Sequence, residues 1–205
     1  MKQLFVIRHG ETDNNKAKMI QGRSINAPIN ALGKRQALAI VEVLDTFSIQ
    51  KIVASSLDRT HQTAEPLATK LGLDSEKHTD LDEIDFGELE GQEFQLIESQ
   101  INMVHTKWSS GEVDFAVEGG ESPRQVFDRA NKRIQHILST SEEENIVFVI
   151  HGRLIRILLS EWLGHGLKNM HLIEHQNGAI NHLTWQNGEF KAVELNKTAH
   201  LGDLG

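Results

Sequence analysis

The 205-residue chain contains no cysteine, which excludes disulfides, thiol nucleophiles and cysteine-ligated zinc or iron–sulfur centres. No apolar run approaches the ~20 residues that a membrane-spanning helix needs. No signal-peptide pattern precedes the first strand-like segment, so the chain reads as cytoplasmic, with no membrane partner. Basic residues are in the minority. Against 29 Asp and Glu stand 21 Lys and Arg, a net charge of −8, which argues against nucleic acid as a partner and leaves room for a local cationic pocket. No Gly-x-Gly-x-x-Gly stretch occurs, so a dinucleotide fingerprint is missing. Neither an internal repeat nor a low-complexity linker interrupts the chain, and the length suits one domain with a full core.

Three short apolar runs each end in polar chemistry. Residues 4–8 deliver Arg8-His9-Gly10, residues 51–55 deliver Ser55-Ser56, and residues 146–150 deliver His151-Gly152. Helical patterns follow them. Residues 32–47 carry Ala37, Ile40, Val41, Leu44 and Phe47 as an amphipathic stripe. Asp58 reads as the N-cap of a helix running to Leu71 with Gly72 as its stop, although Pro66 falls inside it. Ser122-Pro123 opens a helix through Leu138, and an apolar helix spans 154–163. Alternating strands and helices predict an α/β fold of three α/β/α layers around a mostly parallel sheet. Asn187-Gly188 between the runs 179–185 and 189–195 predicts a hairpin and hence an antiparallel edge. Residues 92–120, with a helical piece and two Gly-containing breaks, read as a cap-like helical insertion over the active site of a single domain, and residues 196–205 as a loose tail.

Four polar clusters follow these strands or lie in connections: Arg8-His9-Gly10, the stretch from Ser55 to Thr60 with Arg59, the acidic stretch around Glu83, and His151-Gly152. Phosphoryl transfer to an imidazole nitrogen needs cations and N–H donors around the equatorial oxygens, a neutral imidazole, and an acid for the leaving alcohol. Arginine forks match phosphate oxygens and stay charged. Two arginines, two histidines and one carboxyl group make a sufficient set without a metal.

The ordered motifs resemble the histidine phosphatase superfamily, also called phosphoglycerate mutase-like, and most of all its broad-specificity and α-ribazole phosphate phosphatase branch. Arg8-His9-Gly10-Glu11-Thr12 is similar to the family signature, and Asn15 falls at its phosphate-contacting asparagine. The stretch from Ser55 to Ala64 resembles the segment bearing the second arginine. Glu83 with Gly87 and Glu90-Gly91 resembles the acid-bearing segment, and Gly120-Glu121-Ser122 and His151-Gly152 complete the series. The resemblance implies that His9 is the phosphorylated nucleophile and that Arg8, Arg59 and His151 surround the phosphate. It further implies that Asn15 and the Gly152 N–H donate to the phosphate, that Glu83 is the proton donor, and that Gln21 and Gly22 line the substrate entrance. No cofactor and no metal are implied. The chain departs from the family at Asn14, Asn30 and Leu89, positions on the substrate side rather than among the reacting groups.

Eleven histidines raise the question of a metal. His171 and His175 have helical spacing but lack a third ligand at a diagnostic distance, and His105 reads with the remainder as a surface or packing residue. The insertion carries Glu93, Glu98, Glu112, Asp114 and Glu118 against Lys107 alone. If these carboxylates face the mouth, they disfavour polyanionic substrates and favour a phosphatase acting on a small phosphorylated metabolite with a neutral or cationic alcohol. Phosphoglycerate mutase or fructose-bisphosphatase activity is the alternative, a non-catalytic binding module the third reading, and a monomer and a homodimer are both compatible with the sequence.

Overall fold

In the computed structural model, which describes residues 1–202 and 204, the three apolar runs become adjacent strands. The strands are β1 (Lys2–Arg8), β2 (Lys51–Ser55), β3 (Ser75–His78), β4 (Asn145–Ile150), β5 (Ile180–Gln186) and β6 (Glu189–Lys197). They form one sheet in the order β3-β2-β4-β1-β5-β6. β3, β2, β4 and β1 run parallel, and β5 and β6 add the antiparallel edge.

β1 and β4 are apolar at successive positions because both faces of the sheet are covered. Leu4 and Val6 of β1, with Ile146 and Phe148 of β4, pack on one face. Phe5 and Ile7, with Val147 and Val149, pack on the other. The helices are α1 (Asp13–Lys16), α2 (Ala31–Leu44), α3 (Asp58–Leu71), α4 (Glu98–Ser110), α5 (Pro123–Thr140) and α6 (Gly152–Trp162). α2 and α3 cover the Phe5 face through Ile40, Val41, Leu44, Ala64 and Leu67. α4, α5 and α6 cover the Leu4 face through Trp108, Ile134, Leu154 and their neighbours. Residues 92–120 therefore bring Ile97, Ile101, Val104 and Trp108 of the α4 region into the main core.

Several boundaries differ from the sequence reading for local reasons. The N-cap of α3 is Leu57 with no side-chain cap, and Asp58 is the first helical residue, where its charge favours the helix dipole. Pro66 sits inside α3 without ending it. α6 starts two residues earlier than its apolar pattern, at Gly152. β3 carries Ser-Glu-Lys-His and no apolar residue, so nothing in its sequence marks an edge strand. The expected loose tail is partly ordered. Asn196 and Lys197 end β6, and a 3-10 turn over Ala199–Leu201 is followed by a hydrogen bond from Arg35 Nη2 to the Leu204 carbonyl at 2.7 Å. Asp203 and Gly205 of that tail lie outside the described residues.

The chain leaves β1 towards α2 on one face and leaves β4 towards α6 on the other. Adjacent parallel strands whose continuations diverge open a crevice at their carboxyl ends, the topological switch point of open α/β sheets. The turn out of β1 depends on two glycines. A Cβ on Gly10 would lie 2.5 Å from the Gly33 carbonyl oxygen, so the turn after β1 and the first turn of α2 meet backbone to backbone. Gly10→Ala is expected to cost about 1–3 kcal/mol by overpacking. A urea unfolding midpoint equal to that of the unsubstituted protein would contradict this contact.

Candidate active site

The crevice is built from strand ends. The His9 N–H donates to the Ile150 carbonyl at 3.0 Å, carrying the β1–β4 ladder one step past the strand. His151, in extended conformation, is the N-cap of α6. The two imidazoles meet edge to face with ring centroids 5.3 Å apart.

His9 is 3% exposed, and its Nδ1 lies 2.8 Å from the Gly10 carbonyl oxygen. A carbonyl only accepts, so Nδ1 carries the proton and Nε2 keeps a lone pair. Among the described residues no protein group hydrogen-bonds that Nε2. Burial, then the guanidinium groups of Arg59 and Arg8, push the imidazole well below its usual pKa, against the opposing pull of the Gly10 carbonyl. The ring is neutral at pH 7 and in the tautomer a nucleophile needs.

Arg59, on the first turn of α3, is fully buried. Its Nη1 donates to the Ile25 carbonyl at 2.7 Å and its Nη2 to the Gly22 carbonyl at 3.1 Å. Its Nε donates to His151 Nδ1 at 3.2 Å. His151 Nδ1 is therefore an acceptor, and His151 Nε2–H donates to Ser55 Oγ at 2.7 Å. Burial, then Arg59 and His9, lower the His151 pKa well below its usual value. Burial lowers both Arg59 and Arg8 to about 10, so both stay charged at pH 7.

Glu83, 6% exposed, sits at the N-terminus of α6. Its Oε1 accepts from the N–H groups of Ile84 at 3.0 Å and Leu154 at 2.9 Å, while Oε2 accepts from Arg153 at 2.9 Å. Oε1 is thus doubly occupied, and Oε2 has the free lone pair that a proton would take. Gly152 is glycine because a Cβ there would lie 2.6 Å from His175 Cε1 and 3.0 Å from Arg8 Nε. Its N–H, one of the orphan donors at the start of α6, is free for an anion.

Asn15 Oδ1 accepts from the Thr12 N–H at 3.2 Å and from Asn177 Nδ2 at 3.1 Å, leaving its Nδ2 as donor. With its amide oriented to donate to Thr12 Oγ1 at 2.7 Å, Gln21 accepts from Arg59 Nη1 at 3.0 Å. Gly22 is buried against Arg59. Gln21 and Gly22, expected at an entrance, therefore buttress the arginine.

Sequence reasoning missed the groups that hold this site in place. Arg129 of α5 grips Glu121 with two nitrogens at 2.7 and 2.8 Å. It also donates to the carbonyls of Asp80, Asp82 and Glu83 at 2.8, 2.9 and 3.1 Å, fixing the loop that carries Glu83. Glu90 accepts from the N–H groups of Arg23, Ser24 and Phe86 at 2.9, 3.0 and 3.0 Å, tying down the loop after α1. Arg129 stands on a plainly amphipathic helix and gives no sequence signal. Glu90 lies in the acid-bearing motif, whose spacing pointed to it without saying what it does.

Glu93, Glu98, Glu112, Asp114 and Glu118 are all exposed, and α4 turns His105 and Trp108 towards α6. One expectation is corrected. His171 and His175 do not share a helix face. His171 Nδ1 lies 3.1 Å from the Lys168 carbonyl, whereas His175 Nδ1 accepts from Arg8 Nη1 at 3.1 Å. Among the described residues no group of three or more His, Asp or Glu is arranged to hold a metal ion, and no helix is long and apolar enough to cross a membrane.

The model of the histidine phosphatase superfamily (branch 1) matches residues 4–198. A protein of Proteus mirabilis named as a probable phosphoglycerate mutase GpmB is 32% identical over 209 residues, covering 100% of this chain and 97% of that protein. A protein of the same name from Citrobacter koseri is 34% identical over 164 residues, covering 80% and 76%. Among solved structures, a mycobacterial glucosyl-3-phosphoglycerate phosphatase in complex with VO3 superposes with a TM-score of 0.87 at 27% identity, covering 96% of this chain and 99% of that one. The α-ribazole phosphatase of Shigella flexneri, at 23% identity, shares the fold with a TM-score of 0.83 over 96% and 97% of the two chains.

The two neutral imidazoles have a consequence for stability. Their folded pKa values lie below the unfolded value of about 6.5, so below that pH the unfolded chain binds protons the folded one refuses. Stability is then fully present above about pH 6.5 and falls below it, by up to about 1.4 kcal/mol per pH unit for each histidine. Thermal unfolding followed from about pH 7.5 to about pH 5, above the carboxylate range, is expected to show a falling midpoint, and a flat profile would contradict the neutral pair.

Proposed function

The chain belongs to the histidine phosphatase superfamily, and from that premise we propose that it is a metal-independent phosphomonoesterase in which His9 accepts the phosphoryl group of a small phosphorylated metabolite. The observation that carries this reading is the His9 tautomer, with Nδ1–H committed to the Gly10 carbonyl and Nε2 unpaired between two guanidinium groups.

In the first step His9 Nε2 forms a bond to phosphorus as the ester P–O bond breaks. The leaving oxygen takes a proton from Glu83 Oε2. Arg8, Arg59, the Gly152 N–H and Asn15 Nδ2 meet the charge on the equatorial oxygens, where donors fixed in a dry site are worth most. His151 orients Arg59 through the Nε–Nδ1 hydrogen bond. The Nδ1–H of the phosphorylated ring stays on the Gly10 carbonyl, which stabilises the positive charge developing there. In the second step the Glu83 carboxylate takes a proton from water as its oxygen attacks phosphorus, the N–P bond breaks, and phosphate leaves with His9 neutral again.

The curated relatives' name adds a second reading. Transfer from the same phosphohistidine to a second hydroxyl, rather than to water, is the mutase reaction. Isomerisation of 3-phosphoglycerate outpacing its hydrolysis is the outcome that selects it.

Kinetics in EDTA test the hydrolase. His9→Ala should abolish turnover. Glu83→Gln should lower kcat/KM, which reports phosphorylation of His9 and not its hydrolysis, by about 10²–10⁴ on an alkyl phosphate and far less on p-nitrophenyl phosphate, whose leaving group needs no proton. Near-normal activity of His9→Ala, equal losses of kcat/KM for Glu83→Gln on the two esters, or loss of activity that added metal restores would overturn the mechanism.

A further inference from the structure

Beside the phosphate site lies a cavity of about 300 Å³ between α4, α6 and the 3-10 turn Leu167–Leu172. Three basic side chains stand in its wall, Arg153 and Arg156 from α6 and Lys168 from the turn, with the imidazoles of His105 from α4 and His171 from the turn beside them. Arg153 Nη2 lies 2.9 Å from His105 Nε2, and its guanidinium rests over the Trp108 ring at 5.7 Å. Burial and the charge of Arg153 lower His105 to about 4, so it is a neutral acceptor at pH 7.

Among the described residues neither Arg153 nor Arg156 has an acidic oxygen within ion-pair distance. The buried Nε of Arg156 has no hydrogen-bond partner, and neither has that of Arg8. The exposed Glu174 acts on Arg156 only from beyond contact, and Glu83, acting on Arg153, is committed to backbone N–H groups. Packing two guanidinium groups together without a counter-ion is costly. Such a site suits an anion that arrives with the ligand, and the arginine fork matches carboxylate and phosphate.

The cavity neighbours the phosphate site, because Arg153 in its wall donates its N–H to Glu83 Oε2 and His175 lies between Arg8 and the charges of Arg156 and Arg153. His175 touches Arg8 and stands over Gly152. Along α6 the step from the Gly152 N–H to Arg156 is a rise of roughly 6 Å, the scale of a three-carbon metabolite. Resting on the phosphatase reading, we propose that this cavity receives a second anionic group of the substrate, a carboxylate or a further phosphate. The enzyme then selects phosphomonoesters that carry such a group over those with a neutral tail, the reverse of what the acidic composition of residues 92–120 suggests.

Matched substrates test this on the intact protein. One pair is 3-phosphoglycerate and glycerol 3-phosphate, which differ in a carboxylate against a hydroxymethyl group. The other is fructose 1,6-bisphosphate and fructose 6-phosphate, which differ in a second phosphate. The anionic member of at least one pair should have a kcat/KM at least about 10-fold higher, and the pair that responds identifies the anion. Arg156→Met should cut that preference by a similar factor, with Arg156→Lys restoring part of it. Ratios near one in both pairs, with the monoesters hydrolysed, would overturn the subsite and leave the phosphatase standing. So would an Arg156→Met loss that falls equally on both members. No turnover and no phosphohistidine with any of the four would overturn the phosphatase reading, and the subsite with it.

Discussion

Arg8, His9, Arg59 and His151 are packed against one another at the ends of β1 and β4, with most of their surface away from water. Four groups able to carry positive charge do not share such a space unless something removes or answers the charge. The imidazoles give theirs up. The Gly10 carbonyl then fixes the proton of His9 on Nδ1, and Arg59 together with Ser55 fixes that of His151 on Nε2. Arg59 keeps its charge and turns its donors to the carbonyls of Gly22 and Ile25. The same burial that makes His9 a neutral base leaves around it a field that an anion relieves.

That arrangement needs its loops held. Carboxylates do much of this from outside the pocket: Glu90 on the loop after α1, Asp82 accepting the Ser56 N–H at 2.8 Å, and Glu121 gripped by Arg129. Arg129 in turn reaches three successive parts of the Glu83 loop. Glu83 itself ends on three N–H groups, two of them from the first turn of α6, so acid and helix dipole are joined. The crevice exists because β1 and β4 send their chains to opposite faces of the sheet.

The sheet and its long helices were legible in the sequence because burial on both faces writes continuous apolar runs, and burial on one writes a stripe. β3 was not, since an edge strand of Ser-Glu-Lys-His has neither. The start of α5 at Ser122-Pro123 was readable because local chemistry sets it, and the structure adds a capping box between Ser122 and Gln125. The site residues at strand ends were readable because motif order carries them. Arg129, Asn177 and the cationic cavity were not, because their meaning lies in contacts between elements distant in sequence. The acidic composition of residues 92–120 says as little about placement, because composition counts charges without saying where they point: Glu93, Glu98, Glu112, Asp114 and Glu118 are exposed, while α4 turns His105 and Trp108 towards α6.

The proposed chemistry requires a phosphoryl group carried by His9 Nε2. Rapid quenching with a 32P-labelled phosphomonoester, followed by peptide mapping, reads this directly. An acid-labile, alkali-stable label on the peptide containing His9 is the expected result. Turnover with no label on that peptide, or with the label elsewhere, would contradict it.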